Sequence, residues 1–342
     1  MSETLCIRAD AGPEMGIGHV MRCIALAQAW QDGGGRVIFI TATETPAILE
    51  RLTAEGLETR RLSAPKATEA DSAETRLIAG ECGAKWLILD GYHFPTSYHR
   101  SVKSTGLKLL IVDDIADSDL SEADAILNQN IYAAPPMYAG ATHAELLLGL
   151  NYTLLRREIL QHRHRRTGIA AIAKNVLVTL GGSDPPNATL EVMQALAACS
   201  YPNFDIKIVV GAANPHWATL ESALPQLQVH HQAVLLRNPP HLPELMADAD
   251  LAIAASGSSS WELACLGAPM LLIMIAANQA GVVKRLAELQ VATDLGPDRS
   301  QWPALISTTA HSHTRRDSMS RSAAQLLDGR GASRVVKYLR GH

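Results

Sequence analysis

The sequence predicts an α/β protein built from two doubly wound, parallel-sheet domains with a ligand cleft between them. Three observations carry that reading. The chain has 342 residues, too many for one core of ordinary size and about right for two. Short apolar runs alternate with segments of helical periodicity, the pattern of parallel strands joined by crossover helices. The alternation runs through the chain twice, with a basic stretch between the two passes.

Taken in order, Leu5 to Arg8 reads as the first strand and Gly12 to Gly18 as a glycine-rich turn. Val20, Cys23, Ile24, Ala27 and Trp30 follow at helical spacing, and Gly33, Gly34 and Gly35 end that helix. Val37 to Thr41, Trp86 to Leu89 and Leu109 to Val112 are further strands. The last two run into acidic residues, Asp90 and then Asp113 and Asp114, at strand carboxyl ends where such sheets face their ligands. Arg156, Arg157, His162, Arg163, His164, Arg165 and Arg166 form the basic run, read as a solvated helix face or linker. The domain boundary is placed there, giving residues 1–167 and 168–342. In the second pass Asn175 to Leu180, Ile206 to Val210, Leu251 to Ala255 and Met270 to Ile275 are strands. Helices are expected over Ala188 to Ala198 and from Gly257-Ser258-Ser259-Ser260 through Leu266.

Composition narrows the function. A hydrophobic share of 47% with 19% charged residues fits ordinary globular folding. A net charge of −4 argues against a nucleic-acid partner. Leu271 to Ile275 is too short for a membrane span, and Arg8 and Asp10 interrupt the only apolar stretch near the N-terminus. No membrane association and a cytoplasmic location are therefore expected. The cysteines number 5 and include no Cys-x-x-Cys pair, as for small buried hydrophobes in a reducing compartment. His162 with His164, His230 with His231, and His311 with His313 lack metal-ligand spacing, so no metal and no cofactor are expected. A Gly-x-Ser-x-Gly elbow is missing, which disfavours serine hydrolase chemistry.

Three motifs can carry chemistry. In Gly16-Ile17-Gly18-His19 the glycines allow a tight turn and close backbone approach to a ligand. His19 then falls near a helix N-terminus, where the dipole favours a neutral ring able to act as a general base. A capping or core histidine is the competing reading. The turn is not a full Gly-x-Gly-x-x-Gly, so it supports dinucleotide binding poorly. In Leu180-Gly181-Gly182-Ser183-Asp184-Pro185 the backbone around Gly182 can present N–H groups to an anion; otherwise it is a tight turn with Asp184 or Asn187 capping the next helix. In Ser256-Gly257-Ser258-Ser259-Ser260-Trp261-Glu262, Gly257 and Ser258 can hold a pyrophosphate and Glu262 a ribose diol. The competing reading pairs Ser259 with Glu262 in a capping box. Asn278 and Gln279, just past a strand, could read sugar hydroxyl or acetamido groups, or form an ordinary polar loop.

Together these segments are more specific than any one of them. Ile7-Arg8-Ala9-Asp10, Gly16-Ile17-Gly18-His19-Val20-Met21-Arg22-Cys23, Leu180 to Pro185, Gly257 to Leu263, Ala276-Ala277-Asn278-Gln279 and Leu89-Asp90-Gly91-Tyr92 resemble the UDP-2,4-diacetamido-2,4,6-trideoxy-β-L-altropyranose hydrolase family of pseudaminic acid biosynthesis. The resemblance runs from residue 5 to about 290. Members of that family often carry an acidic residue where Ala277 stands. It implies two Rossmann-like domains of the GT-B type with a substrate cleft between them, and hydrolysis of the anomeric C–O bond of a UDP-sugar. It implies His19 as base, Tyr92 as a sugar contact beside Gly18, and Gly257, Ser258 and Glu262 as the UDP site. The small-molecule partner would be the UDP-sugar, bound by a monomer. An inverting glycosyltransferase of the same fold, a UDP-sugar 2-epimerase and a catalytically silent nucleotide-sugar sensor are the rival readings.

Overall fold

The computed structural model describes residues 3–12, 15–43, 45–140, 143–199 and 203–342. The chain divides into two compact units: Met1–Arg157 with Gly329–His342, and Glu158–Asp328.

The first unit opens with β1 (Thr4–Ala9), α1 (Gly18–Asp32), β2 (Arg36–Thr41), α2 (Pro46–Ala54), β3 (Glu58–Arg61) and α3 (Glu69–Glu81). It continues with β4 (Trp86–Asp90), α4 (Thr96–Lys103), β5 (Lys108–Val112), β6 (Ala125–Asn128) and β7 (Glu145–Leu148). The strands form a seven-stranded sheet in the order β3-β2-β1-β4-β5-β6-β7, and every pair is parallel. Register is fixed at the centre, where Cys6 of β1 pairs with Ile38 on one side and Leu87 on the other. Both faces are covered, so the strands read as continuous apolar runs rather than alternating ones. Leu5, Ile7 and Ala9 pack one way, against Val20, Ile24 and Ala27 of α1. Cys6, Leu87 and Leu89 pack the other way, with Tyr98 and Val102 of α4.

The short helix α5 (Arg157–Gln161) follows at the division. The second unit holds β8 (Asn175–Thr179), α6 (Ala188–Ala197), β9 (Asp205–Val210), α7 (Trp217–Gln228), β10 (Gln232–Arg237), α8 (Leu242–Asp248) and β11 (Leu251–Ala255). It is completed by α9 (Ser258–Cys265), β12 (Met270–Ile273), α10 (Ala280–Glu288), β13 (Ala292–Asp294), α11 (Trp302–His311) and α12 (His313–Leu326). Its six strands are again all parallel, in the order β10-β9-β8-β11-β12-β13. Its core gathers Val178, Ile206, Ile208, Ile253 and Leu271 with Val192, Leu196 and Trp302.

The last helix, α13 (Gly331–Gly341), belongs to the first unit. Its apolar stripe of Ala332, Val335, Val336 and Leu339 joins the core that α1 and β1 build. The Trp86 indole donates to the Leu339 carbonyl at 3.0 Å, and Arg340 donates to that of Gly33 at 2.9 Å. A side chain at position 331 would put its Cβ 2.2 Å from the Thr153 carbonyl oxygen, so the docking needs glycine there. The sequence-based boundary, with everything after 167 in one domain, therefore differs from the structure at the C-terminus. Periodicity shows that a helix has an apolar face but not which sheet receives it.

The basic run lies at the division between the units and, after α5, has no regular structure, with His164 and Arg165 exposed as a solvated linker would have them; several of its guanidiniums are nevertheless tied down. Arg157 pairs with Asp32 at 2.7 Å in the first unit. Within the second unit Arg163 donates to the Leu327 and Asp328 carbonyls, and Arg166 to those of Ala247 and Ala249. These guanidiniums tie off the last carbonyls of helices that would otherwise end unsatisfied. Among the described residues no helix is long and apolar enough to cross a membrane.

Candidate active site

Each sheet reverses its strand order once, between β1 and β4 in the first unit and between β8 and β11 in the second. Ligands of open parallel sheets bind outside the strand carboxyl ends at these points. The residues singled out in the sequence gather there.

In the first unit β1 runs into Asp10 and β4 ends on Asp90. The connection from β1 narrows where Gly12 and Gly16 exchange backbone hydrogen bonds of 3.2 and 2.8 Å, with Gly16 at φ 74°. Helix α1 then starts at Gly18 without a side-chain cap, which puts His19 in its first turn. His19 is buried, and its Nδ1 lies 2.6 Å from Asp90 Oδ1. Burial works against the Asp90 charge, but the cationic partner Arg22 and the adjoining His19 hold the carboxyl well below the usual carboxylate range. An ionised oxygen at 2.6 Å can only accept, so Nδ1 carries a proton, and in the neutral ring the lone pair is on Nε2. The ring is thus oriented by a buried carboxylate.

Arg22, one turn after His19, locks the carboxylate. Its Nε and Nη2 donate to the two oxygens of Asp90 at 2.7 Å each, a bidentate pair. Its Nη1 lies 2.9 Å from both oxygens of Asp114, which follows β5. Asp114 also accepts from Asn130 Nδ2 at 2.7 Å and from the Tyr92 hydroxyl. Tyr92 meets His19 edge to face, 4.9 Å between centroids, and is 50% exposed. The Cys23 thiol points at Asp90, and burial pushes it far up from the normal thiol range, as expected of an inert cysteine.

A second carboxylate cluster adjoins this one. Asp10 is fully buried and accepts from Thr41 and Ala42 of the β2 end, with Arg8 Nη1 at 2.7 Å and His93 Nε2 at 3.1 Å. Burial opposes its charge, but His93 and Arg8 hold it low. Arg8 is itself fully buried and bound by Asp71. Neither Asp10 nor Asp90 presents an oxygen to solvent, so neither is placed as a covalent nucleophile.

In the second unit Gly181, at φ 90°, turns the chain after β8. Gly182 touches the backbone of Gly211, where a Cβ would stand 2.2 Å from the Gly182 oxygen. Asp184 caps α6, accepting from Ala188 N and Thr189 N at 2.9 Å each, while Asn187 makes no side-chain cap bond. That carboxylate already holds the first amides of α6, so the helix end is not the open anion site the sequence allowed. Helix α9 differs. Its N-cap is Gly257 in extended conformation, with no side-chain cap bond, and Ser258 is exposed. The helix starts two residues too early for a Ser259–Glu262 capping box. Ser260 Oγ instead donates to the Gly257 carbonyl at 2.6 Å, and Glu262 is half-buried one turn into the helix. Gln279 braces the neighbouring loop: its Oε1 accepts from Ile275 N at 3.0 Å and Ser256 Oγ at 3.3 Å, which brings its amide nitrogen beside Gly257. Asn278 is exposed.

The structure thus joins Gly18, His19 and Tyr92 at one switch point, and Gly182, Gly257, Ser258, Glu262, Asn278 and Gln279 around the other. Sequence reasoning missed Arg22, Asn130 and the bridging role of Asp114. The available signal was Arg22 at i+3 from His19, and a third successive strand ending in polar residues, Asn128-Gln129-Asn130.

Two all-parallel α/β units of seven and six strands, with polar side chains gathered at the switch points, define the GT-B fold class. The crystal structure of a glycosyltransferase from Rickettsia africae ESF-5 matches over 99% of this chain and 98% of its own, at 11% identity and a TM-score of 0.67. The spore coat polysaccharide biosynthesis protein SpsG of Bacillus subtilis (strain 168) is 26% identical over 97% of this chain and 96% of its own. The UDP-2,4-diacetamido-2,4,6-trideoxy-β-L-altropyranose hydrolase of Campylobacter jejuni subsp. jejuni serotype O:2 is 24% identical over 82% of this chain and 95% of its own. No protein-family model matches the chain.

Proposed function

We propose that this protein hydrolyses a UDP-sugar, UDP-2,4-diacetamido-2,4,6-trideoxy-β-L-altrose or a close analogue, at the anomeric carbon. The observation that carries the reading is the His19–Asp90 pair. An ionised, fully buried aspartate holds Nδ1–H, so Nε2 is the proton acceptor, and an imidazolium formed there meets a carboxylate in place. Water is the nucleophile. Its oxygen bonds to the anomeric carbon, its proton passes to His19 Nε2, and the C–O bond to the diphosphate breaks with its electron pair leaving on UDP. The products are UDP and the free sugar. One displacement by water inverts the centre.

In this reading the first unit supplies the base and, through Tyr92 and Gly18, sugar contacts. The second unit holds UDP: the uncapped start of α9 at Gly257 and Ser258 faces the diphosphate, and Glu262 the ribose. Gly182, Asn278 and Gln279 line the same strand ends. Similarity to the Campylobacter hydrolase supports the substrate class. The test is incubation with a panel of UDP-sugars and no acceptor, with both products followed. Release of UDP and free sugar in equal amounts supports hydrolysis. Turnover only with an added hydroxyl acceptor would make it a transferase, and return of an epimerised UDP-sugar would make it an epimerase.

A further inference from the structure

Five side chains of the first unit form a closed circuit of contacts that begins and ends on His19. His19 Nδ1 meets Asp90 Oδ1 at 2.6 Å. The same oxygen accepts Arg22 Nη2 at 2.7 Å, so imidazole and guanidinium share it. The far side of the guanidinium meets both oxygens of Asp114 at 2.9 Å. Asp114 accepts the Tyr92 hydroxyl, and the Tyr92 ring returns to the imidazole edge to face at 83°. Asp114 is itself fixed: Asn130 donates to its carboxylate, and Asn128 and Tyr132 donate to its backbone carbonyl at 3.1 Å each.

The circuit has an electrostatic consequence. Arg22 carries one positive charge between two carboxylates. How far Asp90 Oδ1 is drawn from the imidazole toward Nη2 depends on how much of that charge Asp114 takes. With Asp114 neutral, the buried guanidinium would have one carboxylate left and would compete with Nδ1–H for it. The Tyr92 hydroxyl would lose its charged acceptor in the same step, loosening the wall against which the ring stands.

We propose that Asp114 is a positioning residue for the catalytic histidine, acting through Arg22 on the Asp90–His19 bond and through Tyr92 on the orientation of the ring. The inference rests on the reading of His19 as the base. Asp114 touches no reacting atom, and its main effect belongs in the geometry of the base, with substrate affinity touched only through Tyr92.

The experiment combines Asp114→Asn, Tyr92→Phe and the double variant in the full chain, with Asp113→Asn as a neighbouring control. Two readouts are taken: steady-state UDP release, and proton NMR of the His19 Nδ1–H and ring signals in the resting protein. Asp114→Asn should lower kcat about 10- to 100-fold, the scale of a small misplacement of a catalytic group, with a smaller change in KM through the Tyr92 sugar contact. It should also move the Nδ1–H resonance, which Asp113→Asn should leave in place. Tyr92→Phe keeps the ring, sits on a half-exposed side chain and removes its hydroxyl bond to Asp114; it should move the His19 ring signals even if Asp114→Asn fails to fold. In the double variant the losses should be clearly less than multiplicative. Unmoved His19 signals in folded Asp114→Asn or Tyr92→Phe protein would overturn the proposal, as would fully multiplicative losses. The NMR readout needs no substrate, so a parent protein that turns over no UDP-sugar would refute the base reading while the positioning is still decided by the signals.

Discussion

Replacing Asp90 by asparagine probes the catalytic reading at its most sensitive bond. The substitution keeps the shape of the side chain and removes its charge. In the parent structure the carboxylate oxygen lies 2.6 Å from His19 Nδ1. When His19 takes a proton in the transition state, that pair becomes a cation facing an anion with charge centres about 4 Å apart, worth about 4 kcal/mol at an effective dielectric of about 20. A loss of that size is about three powers of ten in rate. Arg22 adds to the loss, because its Nη2 stands 3.2 Å from Nδ1 and would face the imidazolium with less compensation. The amide also presents N–H groups where Arg22 already donates, which favours the wrong imidazole tautomer. The expectation is therefore a fall in kcat of about 10³-fold, with UDP affinity retained because Gly257, Ser258 and Glu262 belong to the second unit. UDP release under single-turnover conditions measures the first quantity and calorimetry with UDP the second. Breaking a buried pair can also cost about 3–5 kcal/mol of stability, so folding of the variant is checked by circular dichroism at the assay temperature. His19→Ala, which leaves the Asp90–Arg22 pair intact, should show a comparable loss. A folded Asp90→Asn protein with kcat within about tenfold of the parent would refute the reasoning.

The other expectations concern the second unit and the acid range. Glu262→Ala should weaken UDP binding by about 1.5–3 kcal/mol, the loss of a hydrogen bond to a charged group; calorimetry showing unaltered affinity contradicts the ribose role. Gly211→Ala would set a methyl carbon 2.2 Å from the Gly182 carbonyl oxygen, a backbone contact that cannot rotate away; it should lower stability by about 1–3 kcal/mol in urea titration, and a neutral result would mean that the β8 turn is free to move. Asp10, Asp90 and Asp114 all have folded-state pKa values held below normal by cationic partners that overcome their burial. A depressed carboxylate stabilises the fold above its unfolded pKa and loses that contribution as pH falls through its folded one, so the loss begins below about pH 4. Asp113, raised by burial, works in the opposite sense and offsets part of it. The first unit should therefore open before the second on acidification, which hydrogen exchange resolved by segment would show; second-unit amides exchanging first would contradict this.

The sheet and the switch points were legible because buried parallel strands are short apolar runs and their carboxyl ends carry the polar residues. Asp90 and the Asp113-Asp114 pair were visible in this way. What they touch was not: the Arg22–Asp90 and Arg22–Asp114 bonds join residues far apart in sequence and depend on β1, β4 and β5 being neighbours. Motif reading singled out His19 and Gly257 as candidates because a glycine turn before a helix is a local signal. It could not choose between Asp184 and Asn187 as the α6 cap, nor detect that α9 begins at Ser258 rather than two residues later. The docking of α13 on the first unit was hidden for a related reason, since its stripe of small and branched apolar residues would suit either sheet.

The central claim is that water attacks the anomeric carbon and UDP departs. The direct measurement is reaction of the UDP-sugar in heavy-oxygen water without acceptor, with mass analysis of both products and early NMR of the free sugar. Label in the sugar, with the anomer opposite to the substrate appearing first, is the predicted result. Label in the phosphate of UDP would mean cleavage at phosphorus and would contradict the account.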